Sequence, residues 1–225
     1  MRQSDRRALY DDAIDRLTAA DRVFPCFCTR REIRDAPSAP HTPPGSYPGT
    51  CRDLTNAERA RRSAERPAAL RLRAGSGTWT IFDLLHGEFT GAVDDLVLRR
   101  NDGVPAYHLA VVVDDGAQGV DQVVRGDDLL TSAPPQAYLA TLLGLEPSTY
   151  AHVPLALNTD GQRLAKRDGA VTRTELEERG IDVLGLLAES LGLVGETPAE
   201  LLTSFDPERL PREPWTVVPP PPQDL

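Results

Sequence analysis

The stretch Pro105–Leu145, PAYHLAVVVDDGAQGVDQVVRGDDLLTSAPPQAYLATLLGL, decides how this chain is read. It opens on an apolar helical segment, passes into a short strand candidate (DQVVRG), and enters a second helix predicted from about Asp127 to Leu143. YAHVPLAL, at 150–157, follows as a buried strand candidate. Strands and helices alternating in this way predict an α/β region. Asp127 and Asp128 stand where the positive end of a helix dipole favours negative charge.

Upstream, Leu9, Ala13, Ile14 and Leu17 recur at helical spacing and predict an amphipathic helix over about residues 5–21. Residues 35–50 hold five prolines and two glycines and are predicted to be loop. NAERARRSAERP reads as a short exposed helix ended by Pro67. ALRLRA, TWTIFDLL and DLVLRR read as strands separated by glycine-bearing turns. Downstream, TRTELEERG, DVLGLLAESLGL and PAELLTSF are helical segments. The tail PREPWTVVPPPPQDL is expected to form neither helix nor central strand and to be poorly ordered.

The chain has 225 residues, 40% hydrophobic and 26% charged, the balance of a soluble globular protein. No apolar run approaches the roughly 20 residues that span a bilayer, and the first residues lack a secretory apolar core. A cytoplasmic monomer with no membrane partner is expected. The net charge of −9 argues against indiscriminate binding to a nucleic-acid backbone. Arginines nonetheless group at Arg30, Arg31 and Arg34, at Arg59, Arg61, Arg62 and Arg66, and at Arg99 and Arg100. Each group alone reads as a solvated helix face, with a local basic patch as the alternative.

Three cysteines, an odd number, do not suggest a disulfide framework. Cys26 and Cys28 sit in FPCFCTR and Cys51 in SYPGTCR. They are either small buried thiols or part of a tetrahedral thiolate metal site that needs a fourth ligand. His41 and Tyr47 both lie inside the loop that Cys28 and Cys51 would close.

Lys166, in RLAKRDG, is the only lysine among 25 basic residues. In a chain where lysine has otherwise given way to arginine, it marks a place where a guanidinium does not serve. Lysine is a compact point charge on a flexible stem, suited to meeting phosphate oxygens in a crowded site.

RLAKRDGA resembles the KLSKRDGA signature of class I glutamyl-type aminoacyl-tRNA synthetases, which holds ATP phosphates as the adenylate forms. AYHLAVVVDDGAQGVDQVVRGDDLLTS resembles the second half of their catalytic domain, with Tyr107 and Arg125 at its glutamate-contacting positions. CFC followed by YPGTC resembles the zinc knuckle of the glutamyl-queuosine tRNA(Asp) subgroup, which implies Cys26, Cys28, Tyr47 and Cys51 as ligands, with His41 as competitor for the fourth place. The likeness covers roughly residues 3–210.

The resemblance implies a class I Rossmann-like α/β catalytic domain. Its organisation would be the end of a first catalytic half (1–22), an inserted subdomain (23–98) bearing the zinc knuckle (26–51), a second catalytic half (99–170), a helical region (171–210) and a Pro-rich tail (211–225). It further implies activation of L-glutamate by ATP and Mg²⁺, with Lys166 as the catalytic, ATP-binding residue, transfer to the queuosine of tRNA(Asp), and a structural Zn²⁺.

Three departures accompany it. Nothing matches the family's opening strand and small-x-His-x-Gly turn, so the domain is expected to be incomplete at its N-terminus and its activity alone is in question. Ala165 stands where the signature has Ser, and Pro135 where the family often has Arg. A fragment of a glutamyl-tRNA synthetase, or an inactive zinc-bearing RNA-binding remnant, are the alternatives.

Overall fold

The computed structural model describes residues 2–36, 46–164, 172–178 and 180–217. The chain divides into two compact units. One takes in residues up to Phe82, Glu88–Val123 and Thr131–Tyr150; the other takes in Asp83–Gly87, Val124–Leu130 and the residues from Ala151 on.

In the first unit, α1 (Arg7–Ala19) follows a 3-10 turn at Gln3–Arg6. It buries Tyr10, Ala13, Ile14 and Leu17, whereas Leu9, expected on that face, is 44% exposed. Tyr10 takes its place because its hydroxyl finds a buried acceptor in Asp114. The strand β1 (Val23–Cys26) was not expected, since Pro25 lies in it. Proline is tolerated because β1 is an edge strand, pairing antiparallel with one neighbour only.

Helices α2 (Arg30–Arg34) and α3 (Asn56–Glu65) each start on a threonine, Thr29 and Thr55, whose hydroxyl and a glutamate three residues on form a reciprocal cap. The strands β2 (Ala69–Leu72) and β3 (Thr78–Asp83) fall where expected. They are followed by β4 (Gly87–Ala92), which the sequence reading passed over as turn, and by β5 (Val97–Arg99). Sheet order is β1-β2-β5 in one sheet.

Next come α4 (Tyr107–Gln118), β6 (Gln122–Gly126), α5 (Ala133–Leu142) and β7 (Thr149–Val153). A second sheet has the order β4-β3-β7-β6. Gly119 ends α4 at φ 68°, and its N–H closes back on the Asp115 and Gly116 carbonyls.

The long helix expected from Asp127 is divided. Asp127–Ser132 is a 3-10 turn, and α5 proper begins at Ala133 with Pro134 and Pro135 in its first turn. Proline is accepted there because the first helical N–H groups have no intrahelical partner to lose. The first eight residues of α5 are all buried, so this helix runs through the core rather than along its surface. That core gathers Ile14, Leu17, Leu72, Leu98, Leu109 and Leu139.

In the second unit, β8 (Ala156–Leu157) pairs in parallel with β9 (Trp215–Thr216), and α6 (Arg173–Glu178), α7 (Val183–Leu191) and α8 (Pro198–Ser204) lie between them in sequence. The tail therefore contributes a short strand at a sheet edge, neither helix nor central strand. The three residues Trp215 to Val217 carry no proline, and the N–H groups of Trp215 and Val217 donate to the Leu155 and Leu157 carbonyls at 3.0 and 2.8 Å. Among the described residues no helix is long and apolar enough to cross a membrane.

Asp114 ties α1 to α4. Only 5% exposed, it accepts from the Tyr10 hydroxyl at 2.8 Å, from Gln3 at 2.9 Å and from the Arg6 guanidinium. Burial pushes its carboxyl up, but the Gln3, Tyr10 and Arg6 donors outweigh burial and hold it below the ordinary aspartate value. A folded-state value below the unfolded one adds stability that is complete above about pH 4 and is lost as pH falls through the folded-state value. Asp114→Ala is expected to cost about 3 kcal/mol by stranding Arg6, and to flatten the acid limb of the unfolding curve. Thermal melts of both proteins between neutral and acid pH check it, and equal acid sensitivity would show that Asp114 is not the titrating support.

Candidate functional site

Alternation along β1 turns Phe24 and Cys26 to the buried side. Cys28 follows two residues on, and the Thr29 cap of α2 fixes the chain's exit: the Thr29 N–H donates to Glu32 at 2.6 Å, and Thr29 Oγ1 accepts the Glu32 N–H at 3.1 Å. The loop after residue 45 returns Tyr47 and Cys51 to the same place. The sulfurs of Cys26, Cys28 and Cys51 all lie within 4.8 Å of one another, with Cys28 Sγ and Cys51 Sγ 3.6 Å apart. Tyr47 is buried among them, its hydroxyl oxygen accepting the Cys51 N–H at 2.7 Å.

The electrostatics separate these groups. Burial pushes Cys51 up, but the Phe27 N–H at 3.4 Å, Tyr47, Cys28 and the positive charge of Arg62 outweigh it and leave this thiol below its ordinary value. Arg62 Nη1, carried by α3, lies 3.6 Å from Cys51 Sγ. Burial and then the neighbouring Cys26 and Cys51 push Cys28 up to about 12. Burial and Cys26 also raise the Tyr47 phenol. Three thiols this close do not ionise together unless a cation takes up their charge. The donor set fits a thiophilic metal ion: three convergent sulfurs with a hydroxyl oxygen in their midst. Of the two readings the sequence left open, small buried thiols and a metal site, the clustering is compatible with the second.

Beside this cluster the first unit holds a cavity of about 720 Å³ whose wall includes Cys28, Arg30, Arg66, Arg71, Arg100 and Tyr107. Tyr107 is the first residue of α4 and is 57% exposed, its ring edge-on to His108 with centroids 5.5 Å apart. It is not a packed core tyrosine. Arg71, 8% exposed, lies with its guanidinium 4.0 Å from the centre of the Tyr47 ring and donates to the Asp95 carbonyl at 2.7 Å.

Arg125 belongs to the second unit. It lies on β6 and its Nε–H donates to His152 Nε2 at 3.0 Å, while one terminal nitrogen lies 3.3 Å from the Leu129 carbonyl. The imidazole's other nitrogen, Nδ1, is 2.6 Å from Asp83 Oδ2, and both His152 and Asp83 are fully buried. Asp83 also accepts N–H groups of Leu85, His86 and His152 at 2.9 to 3.0 Å. Burial pushes its carboxyl up, and these donors, His152 first, hold it below the ordinary value. Asp128, three residues from Arg125, is paired with Arg163.

The structure thus brings Cys26, Cys28, Cys51 and Tyr47 together and sets Tyr107 on a cavity wall that Cys28 shares. Lys166 and His41 lie outside the described residues. Sequence reasoning missed Asp83 and His152. The only signal was a histidine in the apolar run YAHVPLAL and an aspartate at the end of TWTIFD, a pairing that 69 residues of separation hide.

Residues 1–215 match the family model described as tRNA synthetases class I (E and Q), catalytic domain. A Glutamyl-Q tRNA(Asp) synthetase of Nocardia farcinica is 64% identical over 217 residues, 95% of this chain and 70% of the relative. Proteins of the same name from Cutibacterium acnes and Symbiobacterium thermophilum are 52% and 45% identical, over 86% and 94% of this chain. The chain spans 56% and 70% of their respective lengths. A crystal structure of glutamate-tRNA synthetase from Elizabethkingia anophelis superposes with a TM-score of 0.73 at 23% identity, over 96% of this chain and 52% of that one, a likeness of fold. The α/β architecture and the match over residues 1–215 agree: the chain belongs to the class I tRNA synthetases of the glutamate and glutamine type, as a catalytic domain.

Proposed function

We propose that this chain activates glutamate with ATP and transfers the glutamyl group to the queuosine of tRNA(Asp). The observation that carries the reading is 64% identity, along 95% of the chain, to a protein named for that reaction. A carboxylate oxygen of glutamate attacks the α-phosphorus of ATP, the bond to the β-phosphate breaks, and pyrophosphate leaves with its electron pair. A hydroxyl of the tRNA nucleoside then attacks the glutamyl carbonyl and releases AMP.

The residue roles follow from chemistry. Arg125 offers a planar fork to a substrate carboxylate, and the exposed Tyr107 hydroxyl supplies a directional bond. Attack of one anion on another concentrates negative charge, and Lys166 neutralises it as it develops. Mg²⁺ accompanies ATP, shielding the phosphates. The arginines on the cavity wall beside the cysteine cluster, Arg30, Arg66 and Arg100, give an otherwise acidic chain a local surface for tRNA phosphate. Zn²⁺ is the metal that Cys26, Cys28, Cys51 and Tyr47 would hold; bound there it supplies the folding energy of a proline-rich segment too small to have its own core.

Glutamate-dependent ATP–pyrophosphate exchange tests the reading. Exchange that requires glutamate is expected, and Lys166→Arg should lower it by about a hundredfold. Full exchange by that variant would remove the lysine from the mechanism. Absence of exchange in the unaltered chain would favour a non-catalytic tRNA-binding role.

The metal is checked separately. The purified protein should contain one zinc per chain by elemental analysis, and Cys51→Ser should lose it. Tyr47→Phe should weaken retention against a chelator by about tenfold or more, with His41→Ala unchanged. The opposite pattern would hand the fourth position to His41.

A further inference from the structure

We propose that Asp83 and His152 form a positioning pair that aims Arg125 at the substrate carboxylate without cancelling its charge. The proposal rests on the reading of Arg125 as a glutamate-contacting residue. Its geometry comes from side chains that no reading of the sequence had joined.

A guanidinium Nε–H is always a donor, so His152 Nε2, 3.0 Å away, must be its acceptor and carry no proton. The imidazole proton is then on Nδ1, where Asp83 Oδ2 accepts it at 2.6 Å. Asp83 is itself held by three backbone N–H groups, so its carboxylate cannot turn away from the ring. The ring is held again at its backbone, since His86 Nε2 stands 3.2 Å from the His152 carbonyl. A rigid chain of hydrogen bonds therefore runs from a fixed, fully buried anion to one edge of Arg125.

The choice of histidine for the middle position has a chemical reason. A carboxylate placed directly against Arg125 would orient it equally well but would compensate its charge and compete with the substrate's own carboxylate. A neutral imidazole orients the fork through Nε and keeps the negative charge of Asp83 one ring away. The arrangement is that of a histidine oriented by a carboxylate, here serving an arginine in the place where other proteins put a metal.

The test combines a spectroscopic signature with a binding readout on the full chain. With ¹⁵N-histidine labelling, the long-range ¹H–¹⁵N spectrum should show His152 with Nδ1 protonated and Nε2 bare. A proton on Nε2 would overturn the proposal. His152→Asn keeps a side-chain N–H for Asp83 but has no acceptor that reaches Arg125; His152→Gln restores an acceptor at the outer position. His152→Asn should shift the Arg125 Nε–H resonance and weaken L-glutamate binding on the order of tenfold by calorimetry. Its melting temperature and ATP affinity should stay near those of the unaltered protein, and His152→Gln should recover part of the glutamate loss.

Unchanged glutamate affinity in His152→Asn, with Arg125→Ala impaired, would overturn the positioning role alone. Unchanged affinity in Arg125→Ala would overturn the glutamate reading of Arg125, and the proposal with it. A His152→Asn protein that melts early and loses ATP and glutamate affinity alike would mean a structural role and would also overturn it.

Discussion

A carboxylate with no exposure to water, Asp83, is the constraint on which the described arginine site depends. An ionised carboxylate buried without partners costs several kcal/mol at least, and the usual escape is to take up a proton. Asp83 instead collects two N–H groups from the turn that follows it and two from His152, one backbone and one ring. Each donor stabilises the anion, and the anion in return fixes each donor. The turn at Leu85 and His86, the residue in the middle of β7 and the orientation of Arg125 are thereby set by one buried charge. Arg125 needs its neighbours for this reason: a long side chain on a short strand has no orientation of its own.

The cysteine cluster solves a different problem with a similar economy of parts. Residues 23–55 have few apolar side chains to bury, and the small core there consists of Phe24, Phe27 and Tyr47 together with Cys26 and Cys51. A core of that size contributes little stability by apolar burial alone. The thiols are also polarised in a way that simple packing does not require. A backbone N–H and an arginine both point at Cys51 Sγ, which favours the thiolate. A thiolate stabilised in this way is compatible with a metal ion at the cluster.

Much of the fold could be read from periodicity and punctuation. The helix around Ile14 and the strand at Leu70 fall where apolar spacing puts them, the exposed helix around Ala60 stops just before Pro67, and the helix at Leu186 and the strand at Val123 lie in the expected segments. The failures have local causes. Pro25 disguised β1, because sequence does not say which strand lies at a sheet edge. Gly87 and Gly91 disguised β4, because glycine reads as turn until a partner strand is known. Leu9 and Tyr10 compete for one helix face, and the outcome rests on Asp114, more than 100 residues away. The same limit applies to the site. Cysteines close in sequence announce themselves, as do the residues of a familiar signature. Asp83 and His152 do not, because a buried aspartate–histidine pair is made by tertiary structure and leaves no spacing to read.

The composition, finally, reads differently once the arginines are placed. If arginine had only displaced lysine by drift, its guanidinium would be incidental wherever it occurs. In the described structure several positions use what lysine lacks. Arg71 places its guanidinium carbon over the Tyr47 ring, 4.0 Å from its centre, while one of its nitrogens donates to the Asp95 carbonyl. Arg52 joins Asp95 and the Ala74 carbonyl at once. Arg125 presents its Nε edge to a histidine while one terminal nitrogen reaches the Leu129 carbonyl. Planarity, several donors and a charge that cannot be lost are the properties in use. At these places drift and geometry point the same way, so the abundance of arginine says little about any one of them. Only the reverse case is informative. Lys166 alone departs from the trend, against 24 positions where arginine stands.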